Sequence, residues 1–186
     1  QHESQTTWGK GPLHAGDALL LTRGIGSGVL FAAAMAGAAA PGWIDAALTQ
    51  MQRSQAPLLP VLRQHGCHAC TDITGFGLLG HLNEMLEASA AGLQLFLDAE
   101  AVPAFSGALE LLAQGWRSSL APANGRALQR WPRLQGVRAE LLVDPQTCGP
   151  LLVALPQEQA GACVQSLERL GWLDATVIGR VQQEGG

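Results

Sequence analysis

Apolar and polar positions follow no single period along this chain; strand-like and helix-like spacing take turns from end to end. Ala18 to Thr22 is a short apolar run after the turn Gly16-Asp17, suited to a buried strand. Val29 to Ala39 predicts a helix stopped by Pro41. Gly42 to Arg53 predicts a second helix, and Pro57 to Gln64 a third with its proline in the first turn. His65 to Cys70, bounded by Gly66 and Asp72, is expected to be a strand. Gly75 to Ala91 carries the clearest amphipathic pattern: Leu78, Leu79, Leu82, Met85 and Leu86 share one face, and Asn83, Glu84 and Glu87 the other. Leu93 to Leu97 then reads as a strand and Ala104 to Ala113 as a helix ended by Gly115. Pro, Asn and Gly punctuate Trp116 to Gly136, where one helix is expected near Arg126 to Trp131. Glu140 to Val143 and Leu151 to Leu155 are expected as strands flanking the turn Asp144-Pro145. Gln157 to Leu170 predicts a helix, and Ala175 to Val181 a last strand.

Strands that alternate with helices need a sheet covered by those helices, which makes the expected fold α/β (α+β) with a mixed sheet. Residues 1–15, rich in Gln, Thr, Gly and Pro, read as a linker or boundary segment, and residues 16–186 as one domain. The chain opens on Gln1 rather than Met, which reads as a boundary inside a longer chain.

Composition narrows the picture. An apolar fraction of 47% against 14% charged residues excludes a disordered chain. The net charge of -4 and the lack of a dense Lys/Arg run speak against nucleic acid as a partner. No stretch reaches the roughly 18 uninterrupted apolar residues that span a bilayer, and the first ten residues lack the order of a signal peptide. Four cysteines are too sparse for a disulfide-stapled domain, so a cytoplasmic location is expected.

The most informative segment runs from Thr71 to His81, where a strand hands over to the amphipathic helix. Gly75 and Gly77 let the backbone approach a ligand without a Cβ in the way, and a helix start offers free N–H groups to a phosphate. Asp72, just ahead of that turn, suits Mg²⁺, because hard cations take carboxylate oxygen. A plainer reading stands beside it: Asp72 or Thr74 caps the helix, and the glycines make a tight turn.

The block Thr71-Asp72-Ile73-Thr74-Gly75-Phe76-Gly77-Leu78-Leu79-Gly80-His81 closely resembles the Thr-Asp-(Val/Ile)-Thr-Gly-Phe-Gly-Leu-Leu-Gly-His stretch of the selenophosphate synthetase family. Asp144-Pro145-Gln146-Thr147-Cys148-Gly149-Pro150-Leu151-Leu152 is similar to that family's Asp-Pro-Gln-Thr-Ser-Gly-Gly-Leu-Leu. Gly16 to Thr22, with Gly26-Ser27-Gly28-Val29, is similar to its Gly-Asp-x-Leu-x-Leu-Thr-Lys-Pro-Leu-Gly-Thr-Gly region. The resemblance implies the C-terminal, three-layer α/β/α domain shared with aminoimidazole ribonucleotide synthetases. It implies an activity for the whole protein, in which ATP, selenide and water give selenophosphate, AMP and phosphate with Mg²⁺. It further implies that Asp72 is a metal ligand near the ATP phosphates, with Thr74, Gly75 and Gly77 on the phosphate side. The family's reactive Cys or selenocysteine and Lys lie in an N-terminal domain of the same chain, so no catalytic residue is expected here and this part alone is expected to be inactive. A homodimer is expected for the full-length protein. Two alternatives remain: a non-catalytic interaction domain of the same fold, and an aminoimidazole ribonucleotide synthetase-like enzyme. The sequence departs from the family at Arg23-Gly24, at Cys148 and at Pro150, where proline removes an N–H.

His65, Cys67, His68 and Cys70 have the residue types of a zinc site. On a regular strand, however, Cys67 and Cys70 would point to opposite faces, so structural thiols are expected. His81 reads as a boundary residue of its helix, His14 as part of the linker, and Cys163 as core. The five tryptophans follow no ladder, and packing is their expected role.

Overall fold

The computed structural model describes residues 8–185. Of the expected linker, residues 1–7 lie outside the described residues. The remainder is folded onto the domain: Leu13 is buried, Gly9 forms a parallel bridge with Ala69, and Trp8 Nε1 donates to the Cys67 carbonyl at 2.9 Å.

Five strands make one sheet: β1 (Asp17–Leu21), β2 (Ala69–Asp72), β3 (Leu93–Leu97), β4 (Leu151–Pro156) and β5 (Thr176–Gln183), in the order β2-β4-β1-β5-β3. Every pairing between these strands is antiparallel, and parallel pairing is confined to isolated bridges such as Ile25 with Ala104. The helices are α1 (Ser27–Met35), α2 (Pro41–Met51), α3 (Leu58–Gln64), α4 (Gly77–Glu87), α5 (Ala108–Ala113), α6 (Ala121–Asn124), α7 (Gly136–Val143) and α8 (Gln157–Arg169), with a 3-10 turn at Gly125–Arg130.

Successive strand residues point to opposite faces, and this parity builds two cores. Leu19 and Leu21 of β1, with Leu152 and Ala154 of β4, pack beneath α1, α4, α5 and α7. Leu20, Val153 and Leu155 face the other way, onto Leu58 and Leu62 of α3 and Cys163 and Leu167 of α8. Each run is apolar at every position because both faces are covered, and the result is the expected three-layer α/β/α arrangement.

The sheet is antiparallel rather than the mixed one expected, since every neighbouring pair of strands in it runs in opposite directions, and two further expectations require correction. Glu140 to Val143 is not a strand; it is the second half of α7. A short apolar run such as Leu141-Leu142-Val143 suits either element. The helix wins because Gly136, at φ 68, opens it, and Asp144, held extended ahead of Pro145, ends it. His65 to Cys70 is not a strand throughout either. His65 ends α3, and regular pairing begins only at Ala69 and continues to Asp72.

Candidate functional site

The three motif blocks, far apart in sequence, meet at the end of the sheet where β1 and β2 finish and β4 begins. Gln146 joins them. Its Oε1 accepts from the backbone N–H of Gly26 at 2.9 Å and of Ser27 at 3.1 Å. Its own N–H donates to the Thr74 carbonyl at 3.0 Å, and its Nε2 donates to the Asp144 carbonyl and Oδ2 at 2.9 and 3.1 Å. Gln146 therefore ties the entry of α1 to the turn before α4. Two otherwise unpaired donors at a helix start are satisfied by one side chain from the third block.

Arg23, which departs from the family's Lys, is buried. Its guanidinium donates to the carbonyls of Cys148, Gly149 and Gln50. Burial holds its pKa below the ordinary arginine value. Cys148 adopts φ 48, a left-handed backbone that a side chain disfavours, and Arg23 grips the loop there. The Pro150 carbonyl accepts from the Ile73 N–H at 2.9 Å, so the loop stays latched to the end of β2 although proline brings no donor.

Asp72 is exposed at the last position of the edge strand β2. Its side chain lines a groove of about 610 Å³ together with Trp8, Lys10, Leu59, Arg63 and Cys70. Lys10 pairs with Glu84 at 2.7 Å, and the Arg63 guanidinium lies 4.9 Å from the Trp8 ring. One carboxylate and two cations thus border one open groove. A single exposed carboxylate with room for water fits Mg²⁺, which keeps several waters and takes one or two carboxylates plus phosphate oxygens.

Thr74, Gly75 and Gly77 are not among the residues lining that groove. Thr74 is half-buried, and its N–H and hydroxyl lie 3.1 and 3.0 Å from His81 Nε2. Gly77 sits at φ 70, and a Cβ there would meet the Val143 backbone at 2.9 Å, so close packing explains the glycine. Gly75 borders open space, and its carbonyl accepts from Asn124 Nδ2 at 2.8 Å.

His81, expected beside the apolar stripe of its helix, is buried and supports this turn. Since Nε2 accepts the Thr74 N–H, the ring proton sits on Nδ1, which faces Glu84 Oε2 at 2.9 Å. Burial lowers the His81 pKa, partly offset by Glu84. Asp144 is also buried, and desolvation raises its pKa to about 7, opposed by the nearby Val29 and Gly28 backbone N–H groups and by the Gln146 amide. The periodicity of α4 places His81 near its apolar stripe but gives no sign of a partner on the preceding turn.

The cysteine–histidine cluster of the sequence is divided between the elements. His65 turns to α8, with Nε2 3.1 Å from Ser166 Oγ. Cys67 precedes β2, so strand parity does not separate it from Cys70, and both pack in the core beneath α3 and α8. Cys67 Sγ donates to the Ala69 carbonyl at 3.6 Å, and the interaction of the two thiols, the largest influence on each, raises the Cys67 pKa and lowers that of Cys70.

A single antiparallel sheet layered between helices, with three sequence blocks interlocked at one end beside an exposed carboxylate, defines an α/β/α domain. The chain belongs to the family described as AIR synthase related protein, C-terminal domain, whose model matches residues 14–186. It is 38% identical over 182 residues to the selenide, water dikinase of Rhizobium meliloti, covering 91% of this chain and 49% of that protein. The corresponding enzyme of Pelobacter propionicus is 35% identical, with 92% and 50% covered. The chain thus spans about half the length of the curated relatives it matches. Among solved structures, E. coli HypE, a hydrogenase maturation protein, superposes with a TM-score of 0.64 at 20% identity, covering 98% of this chain and 48% of that one. These likenesses establish the fold. No helix among the described residues is long and apolar enough to cross a membrane.

Proposed function

We propose that this chain is the C-terminal part of an ATP-dependent selenophosphate synthetase and that its Asp72 helps to hold Mg²⁺ against the nucleotide phosphates. The observation that carries the reading is the exposed Asp72 carboxylate in a groove with Lys10 and Arg63, on a loop system that Gln146 and Arg23 hold in place. Fold neighbours are in keeping with this reading: HypE has been solved in complex with ATP, and ThiL complexed with AMPPCP and TMP. When bound, Mg²⁺ supplies neutralisation of charge on the transferred phosphoryl group. The chain's own residues orient and bind. Asp72 offers the metal an oxygen, Lys10 and Arg63 offer the phosphates positive charge, and the His81–Thr74 contacts fix the turn that follows Asp72.

The nucleophile-handling groups belong, in this reading, to an N-terminal domain, and the present chain alone does not turn over ATP. The test is Asp72→Asn in the full-length protein, assayed for selenide-dependent AMP formation. Activity should be lost while the circular dichroism spectrum and melting temperature stay within error of the parent. Near-normal turnover in that variant would sink the assignment.

A further inference from the structure

At the other end of the sheet, roughly 13 Å of strand away from the Leu21 end of β1, a second group of polar side chains converges. One nitrogen each of His14 and His68 and one carboxylate oxygen of Asp17 all lie within 4.8 Å of one another. The two imidazole rings are 4.4 Å apart at their centroids. His68 Nε2 is 3.0 Å from Asp17 Oδ1, while Asp17 Oδ2 accepts the His14 backbone N–H at 2.6 Å.

We infer that His14, Asp17 and His68 form a binding site for a zinc-class divalent cation, with the fourth position open to water. Two observations lead there. The donor set, two imidazoles and a carboxylate, is one that zinc accepts, and a tetrahedral zinc with bonds near 2.0–2.1 Å sets its ligands roughly 3.4 Å apart. The observed spread, up to 4.8 Å, is wider than that, so the side chains would draw together around a bound ion.

The second observation is electrostatic. Asp17 is 3% exposed, and among the described residues no Lys or Arg nitrogen lies within 4.0 Å of its carboxylate. A buried carboxylate without a cation is costly.

The scaffold is suited to the task. Asp17 begins the central strand β1, and His68 stands one residue ahead of β2, with β4 lying between those strands. His14 comes from the segment that enters β1. The ion therefore pins that segment to the sheet. Cys67, the neighbouring soft ligand, faces the opposite core and takes no part. Imidazole ligands also favour zinc, cobalt or nickel over magnesium, which takes oxygen.

Cobalt(II) titration of the metal-free protein, followed by visible absorption with zinc as competitor, tests the site. One ion per chain should bind with tetrahedral d–d bands, resist millimolar magnesium, and raise the melting temperature. His14→Ala, which removes an exposed side chain, should keep the metal-free melting temperature and weaken binding at least about tenfold, the loss that even an outer-shell partner causes. Asp17→Asn should weaken it similarly, and a Cys67→Ser, Cys70→Ser double variant should not. The inference is overturned by absence of stoichiometric binding, by unchanged affinity in His14→Ala, by displacement with magnesium, or by an intense sulfur-to-cobalt band that vanishes with the cysteines.

Discussion

Gln146 Oε1 receives both the backbone N–H and the hydroxyl of Ser27, each at 3.1 Å, although the two residues stand in different motif blocks. The same hydroxyl accepts the Thr147 N–H at 2.9 Å, so the link closes on itself. Gln146→Ala leaves the Gly26 and Ser27 donors buried and unpaired. It should destabilise the domain by about 2–4 kcal/mol, read from urea unfolding at unchanged m-value. A cost below measurement error would show that water replaces the amide freely.

The two glycines at the start of α4 should behave differently. Gly77→Ala forces a side chain into a left-handed backbone and against Val143, and should cost about 1–3 kcal/mol. Gly75→Ala meets open space and should leave the melting temperature nearly unchanged. Any loss of nucleotide affinity in Gly75→Ala of the full-length protein then reports on a ligand close to that backbone.

Asp144 makes stability depend on pH in an unusual direction for a carboxylate. Its pKa rises from 3.8 to about 7 on folding, so the folded chain holds the proton more tightly than the unfolded one. Stability is greatest below the unfolded value and falls as pH rises from about 4 to about 7. The loss is bounded at about 4 kcal/mol by the size of the shift. Asp144→Asn keeps the shape without the charge and should flatten that slope in melting curves taken at pH 5 and pH 8. An identical slope in both proteins would remove Asp144 as its source.

His81 acts on the acid side. Its pKa is lowered by burial, so its contribution is complete above the ordinary histidine value and is lost as pH falls through it toward the depressed one. Protonation also takes away the lone pair that accepts the Thr74 N–H. His81→Gln should lessen the loss of stability on acidification from pH 7 to pH 5. If the variant acidifies like the parent, other groups govern that limb.

What was legible in the sequence follows from local spacing. The amphipathic stripe of α4 fell at Leu78, Leu79, Leu82, Met85 and Leu86; the first four are buried, and half-buried Leu86 packs against the same core. The fully apolar strands Ala18–Leu21 and Leu151–Leu155 announced a sheet covered on both sides, and the three blocks identified the family that the comparison established. Spacing records whether a side chain is buried, because burial follows the period of the element. It does not record what the side chain is buried against. The run Leu141-Leu142-Val143 therefore carried no sign that it would be helix, and Cys67 and Cys70 were assigned to opposite faces although they share one core. Only the tertiary structure decided that Gln146 caps α1, that Arg23 grips the Cys148 loop, and that His14, Asp17 and His68 stand together. Each depends on chain segments brought side by side by the order of strands in the sheet, and that order is set by long-range packing rather than by any local period.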